Sequence, residues 1–160
     1  MKRLYDRSAD QFARIPFDLI SLLARICVGA VFFRSGLLKL DGWDGGKTLM
    51  LFEYEYQLPL ISPQIAATMV TAAELVLPIL LFAGLLTRFA AFGLLIMTLV
   101  IQIFVYPNAF DTHGTWAVAF LFLMKYGAGH FSLDYLLFQD KPSVSQKPHM
   151  HQARADAALS

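Results

Sequence analysis

The sequence predicts an all-α integral membrane protein, a four-transmembrane-helix bundle with short interfacial helices. Three observations carry that reading. Hydrophobic residues make up 57% of the 160-residue chain and charged residues 16%, against about 45–50% and about 25% in soluble domains. A soluble domain of this size leaves too much of its surface exposed to hide so much apolar area, whereas a bilayer removes the conflict. The apolar residues fall into four runs of helix length, and the stretches between them are rich in Gly, Pro and charge. Together these exclude an ordinary soluble enzyme, a disordered chain and a disulfide-stapled secreted module.

The elements follow in chain order. The arm at residues 1–16 carries Lys2, Arg3, Arg7 and Arg14 without the apolar stretch of a cleaved signal peptide. Residues 17–38 form the first span, about 33 Å as helix, interrupted by Arg25 and Arg34. Residues 39–63 are broken by Gly42, Gly45, Gly46, Pro59 and Pro63 and are too polar to cross. Within them, residues 47–57 mix apolar and acidic side chains at near-helical spacing. They read as a short surface helix with Trp43, Tyr54 and Tyr56 at headgroup level. The second span, 64–84, holds Glu74 and Pro78; Gly84 suits its C-terminus and Thr87 the N-cap of the next helix. The third, 88–106, stops at Pro107. The fourth, 112–126, gives only about 22 Å, so it starts earlier, tilts or leans on its neighbours. A second interfacial helix is expected at 131–138, after Gly127 and Gly129. The polar tail 139–160 reads as disordered. The domain division is therefore 1–16, 17–138 and 139–160.

Four spans put both termini on one side. Lys2, Arg3, Arg7, Arg14, Arg88, Lys125, Lys141, Lys147 and Arg154 fall on the terminal side, and only Lys39 and Lys47 on the other. The positive-inside rule then makes both termini cytoplasmic. A formal charge of +1 gives no nucleic-acid footprint. The one cysteine, Cys27, cannot cycle through an internal disulfide and reads as a small packed apolar residue.

Polar groups inside an apolar span need a partner or a purpose. Arg25 lies about 12 Å into the first span, and Glu74 about 15 Å into the second, which runs the other way. The depths predict that Arg25 and Glu74 pair near the midplane, either as a structural bridge or as the polar floor of a ligand cavity. Pro78 removes the helical donor of the Glu74 carbonyl. Arg25, Gly29, Phe32, Gly36 and Lys39 share one helical stripe, and its glycines admit a neighbouring backbone. Arg34, half a turn away, suits a side chain reaching the headgroups. A cavity is expected above the pair, between Gly29, Phe32 and Gln102, with His113 and Trp116 at the mouth. His113 serves there as polar anchor, proton carrier, hydrogen-bond donor to a bound carbonyl or metal ligand. No bis-histidine haem site and no metal centre is expected; His149 and His151 are too close together in a polar tail.

The segments RICVGAVFFRSGLLKL (25–40), GLLTR (84–88) and GAGHFSLD (127–134) resemble the DoxX family of small four-helix bacterial membrane proteins, over about residues 20–136. EYQLPLISP (55–63) and QIFVYPNAF (102–110), with His113 and Trp116, resemble the branch encoded beside metal-responsive modified-peptide genes. The resemblance implies a multi-pass protein of the bacterial inner membrane associated with redox systems. It implies a quinone as the possible cofactor and a redox-enzyme or peptide-maturation partner. By motif position it marks Arg25, Lys39, Glu74, Ser132 and Asp134. No self-contained catalytic motif is present, so two functions stand side by side. One is a quinone-linked or accessory subunit of a membrane redox system. The other is a non-enzymatic factor for transport or assembly of a small peptide, metal or lipid.

Overall fold

The structure, a computed structural model, describes residues 12–138. Among these residues every regular element is helical. Helix α1 runs Phe17–Asp41 and α2 Lys47–Met50, the latter continuing as a π-helical turn, Leu51–Tyr56. Helix α3 spans Pro63–Ala83; α4 spans Thr87–Val100 and ends in a second π-helical turn, Ile101–Val105. Helix α5 runs Phe110–Tyr126 and α6 Leu133–Phe138. The four long helices pack as a bundle in which α1 lies against α3 and α5, and α4 against α3 and α5.

Each boundary has a local cause. Pro63 opens α3 at the first turn, where its missing N–H is not needed. Gly84 closes α3 in the left-handed region, at φ 65°. The fourth long helix starts at Phe110, earlier than its hydropathy suggests, because Asp111 sits in its first turn and favours the N-terminal dipole. Thr87 does not cap α4. The cap residue is Leu86, held at φ 48° by a carboxylate from far along the chain (below).

The polarity of the bundle is inverted relative to a soluble protein. Ser21, Arg25, Lys39, Thr71, Glu74, Thr87, Thr98 and His113 are buried, while Leu23, Ile26, Met69, Phe89, Phe92, Ile103 and Leu121 are exposed. An apolar exterior around a polar-containing core is the arrangement a lipid solvent favours. Two helices, Pro63–Ala83 and Thr87–Val105, are long and apolar enough to cross a bilayer. The core proper is Val28, Phe32, Leu81, Ala90, Ala91, Leu94, Leu95, Phe120 and Leu123. Cys27 and Arg34 lie on the outer face of α1, so the packed role expected of Cys27 does not hold.

The buried stripe of α1 follows the spacing expected of it: Ser21, Arg25, Val28, Gly29, Phe32, Gly36 and Lys39. Its glycines bring α3 close. A Cβ at Gly36 would stand 3.0 Å from the Glu74 carbonyl carbon, and one at Gly29 would stand 2.6 Å from the Phe82 ring. The 47–56 helix caps the bundle. It buries Phe52 against Ala66 and Ala67 and sets Tyr56 edge-on to Tyr106, with ring centroids 6.1 Å apart.

Candidate functional site

Arg25 and Glu74 do not meet. Depth arithmetic counted inward from span ends as though those ends were level, and they are not. Arg25 lies opposite Leu81, near the C-terminus of α3: its Nη1 donates to the carbonyls of Leu81 (3.1 Å) and Phe82 (3.4 Å). Glu74 is seven residues, about 10 Å, further along the α3 axis. Arg25 is fully buried; backbone carbonyls engage its Nη1 and Nη2, and its Nε has no hydrogen-bond partner. The last carbonyls of a helix have no intrahelical donor and carry the negative end of its dipole, so a guanidinium there is well placed.

The rest of that end is built around Arg25. Its Nη2 donates to Phe131 O (2.7 Å), and Ser21 Oγ donates to Gly127 O (2.8 Å), tying α1 to the segment after α5. Ser132 Oγ donates to Gly129 O (2.6 Å) and accepts from the Tyr135 amide, turning the chain into α6. Asp134 accepts from the Leu86 amide (2.7 Å) and the Thr87 amide (3.0 Å), and its own amide donates to Gly84 O (2.8 Å). One carboxylate therefore caps α4 and holds the strained Leu86 in place. At Gly84 a Cβ would stand 2.5 Å from both Arg25 Nη1 and Ser132 Cβ. The positions Arg25, Gly84, Ser132 and Asp134 thus form one structural clamp.

Glu74 has a different partner, Lys39, at the opposite end of α1. Lys39 Nζ donates to Glu74 Oε2 (2.8 Å) and Oε1 (3.1 Å) and to Ser35 Oγ (2.8 Å). Ser35 Oγ in turn donates to Glu74 Oε1 (3.3 Å). Both charged side chains are buried, at 6% and 2% exposure. Lys39 stood on the predicted stripe and among the motif positions, yet hydropathy ended the span before it. The helix continues to Asp41. Helical side chains lean toward the N-terminus, so the ammonium reaches back one turn to Ser35.

This ion pair borders a cleft of about 360 Å³ lined by Ser35, Leu38, Lys39, Asp41, Thr48, Leu51 and Tyr56, among others. Lys39 Nζ lies 5.9 Å from the Tyr56 ring centre. Burial first, then the neighbouring Tyr106, Glu74 and Glu55, holds the Tyr56 phenol above the ordinary tyrosine value, so it stays a donor. Beyond it, the Tyr106 hydroxyl donates to Glu55.

The cavity expected between Gly29, Phe32 and Gln102 is filled. Gly29 faces the Phe82 ring, and Phe32 packs edge-on against Trp116 and Phe120, with centroids 5.3 and 5.5 Å away. Four of its five predicted residues still form a chain, because His113 lies 5.2 Å from Trp116 and 2.7 Å from Gln102 Oε1. Gln102 Nε2 donates to Pro107 O (2.6 Å), so its amide oxygen faces His113 and places a proton on Nδ1. Among the described residues no group of three or more acidic, His or Cys side chains converges to hold a metal. His149 and His151 lie outside the described residues.

The DoxX family model matches residues 20–107, which include Arg25, Lys39 and Glu74. An uncharacterized protein of Haemophilus influenzae is 31% identical over 134 residues, covering 78% of this chain and 87% of its own length. No solved structure matches. A family-model match over more than half of its length shows that the chain belongs to the DoxX family of membrane proteins.

Proposed function

We propose that the protein is a four-span subunit of the bacterial inner membrane, with both termini cytoplasmic, that serves a membrane redox system by holding a quinone head group near Lys39. Helices α1 and α5, packed along α3 and α4, supply the two further spans. The observation that carries the reading is the buried Lys39–Glu74–Ser35 group beside an open cleft. A head group in that cleft would meet the Tyr56 hydroxyl as donor, the positive field of Lys39 and the apolar walls Leu38 and Leu51. A quinone supplies reversible two-electron, two-proton chemistry when bound. The chain's own part is to orient the carbonyl oxygens, exclude water with the 47–56 cap, and hold a proton at Tyr56. Arg25, Ser132 and Asp134 position the helices, and His113 with Gln102 and Trp116 fixes the start of α5. A redox enzyme is the expected partner.

Two experiments test this. In a Cys27→Ala background, an impermeant thiol reagent should label Gly45→Cys but not His130→Cys in cells whose outer barrier is opened. Both positions are well placed, since Gly45 faces open space and His130 is exposed; the reverse labelling overturns the orientation. Solvent extraction of mildly purified protein should release quinone, seen by its ultraviolet absorbance. Tyr56→Phe should retain about three- to tenfold less, the worth of one hydrogen bond. No quinone in the wild type, with altered metal tolerance on gene deletion, would instead favour the peptide- or metal-handling role.

A further inference from the structure

A second cleft, of about 310 Å³, lies at the Arg25 end of the bundle, between the start of α4, the segment after α5, and α6. Arg88, Phe89, Gly127, Asp134 and Phe138 are among its walls. Arg88 is exposed, and its Nε and Nη2 lie 3.5 Å from where a Gly127 Cβ would be. The missing side chain lets the guanidinium lie across the loop. Among the described residues no carboxylate is within ion-pair distance of Arg88. Asp134, the one acid in the wall, is engaged by two amides. Thr87, also in the wall, is fully buried and its hydroxyl has no hydrogen-bond partner.

The surroundings are apolar in a particular direction. Phe89 and Phe138 flank the cleft and are 75% and 62% exposed. From Phe89 an exposed ridge continues along α4 through Phe92, Ile96 and Ile103, at helical spacing. A cation with no carboxylate partner among the described residues, at the end of a bundle and with an apolar track leading from it toward the middle, is complementary to one kind of molecule: an anionic head group carrying acyl chains.

We infer that this cleft binds the phosphate of an anionic phospholipid, with Arg88 as the phosphate ligand and the Phe89–Phe92–Ile96 ridge as the acyl track. The inference rests on the membrane-spanning reading of the bundle and is independent of the quinone. The guanidinium offers two parallel N–H groups to phosphate oxygens.

Native mass spectrometry of the full-length protein in mild detergent tests it, using phosphatidylglycerol and phosphatidylcholine with matched chains. The wild type should hold phosphatidylglycerol about fivefold more tightly, the worth of one basic side chain near an anionic lipid surface. Arg88→Gln should abolish that preference. Lys125→Gln, which removes an exposed charge at the same end but outside the cleft, should keep it within about twofold, because solvent and salt screen a charge that does not touch the lipid. Equal binding of the two lipids by the wild type overturns the proposal without any variant. So does an unchanged preference in Arg88→Gln, or displacement of the lipid by excess inorganic phosphate, which would mean that phosphate alone is recognised. A failed quinone extraction leaves these outcomes unaffected.

Discussion

Arg25→Leu is expected to lose about 2–3 kcal/mol of stability, because it removes the side-chain donor of three carbonyls, two of them partly buried and one, Leu81 O, still held by the Gly84 amide. Those carbonyls belong to Leu81, Phe82 and Phe131, on two separate elements. The loss should therefore loosen α1 from α3 and from the 127–134 segment together. Unfolding in mixed micelles, read by circular dichroism, measures it. Arg34→Leu, on the exposed face of the same helix, should stay within about 0.5 kcal/mol. Arg25→Leu combined with Glu74→Leu should be additive, since the two sites share no partner and lie about 10 Å apart along the helix. A large coupling energy would show that they act on one another, contrary to the geometry.

The opposite pattern is expected of Lys39 and Glu74. Removing one member of a buried ion pair leaves the other unpaired in low dielectric and costs about 3–5 kcal/mol. Replacing both by apolar residues of similar volume leaves no orphan charge. Lys39→Met and Glu74→Leu should thus each lower stability and folded yield, and the double variant should recover most of both. Function then separates two roles for the pair. If it only holds α1 and α3 in register, the double variant regains activity along with yield. If it forms the polar wall of the quinone cleft, the double variant folds but releases no quinone on extraction. Additive losses in stability would mean that the bridge of 2.8 Å contributes nothing in the membrane.

The helical architecture was legible because the apolar runs are long. A run of about twenty apolar residues must be helical to satisfy its backbone, so the four long helices could be placed within a few residues. The stripe Arg25–Gly29–Phe32–Gly36–Lys39 followed from helical phase alone, and every member is buried. Gly84 ended α3 as its type demands. Phe32, Trp116, His113 and Gln102 lie in one chain of contacts, where a cavity lining was expected from the sequence.

By itself, then, the sequence determined that the chain is helical, apolar outside, and carries a few buried charges on one stripe of its first helix. Only the tertiary structure decided which charges meet. Axial register between α1 and α3 set Arg25 against the α3 C-terminus and Glu74 against Lys39. That register depends on where Gly29 and Gly36 let α3 approach, and on how far α1 runs past its apolar stretch. Neither is a local property. Hydropathy ends α1 where the apolar run ends, whereas the helix goes on to Asp41, with Lys39 paired to a carboxylate on α3. The cap on α4 was hidden for the same reason. Thr87 is a capping residue type, but it lies one position inside the helix, and the Asp134 carboxylate, 47 residues away, reaches its amide. A charged acceptor makes the stronger bond to an amide at a helix N-terminus than a hydroxyl does.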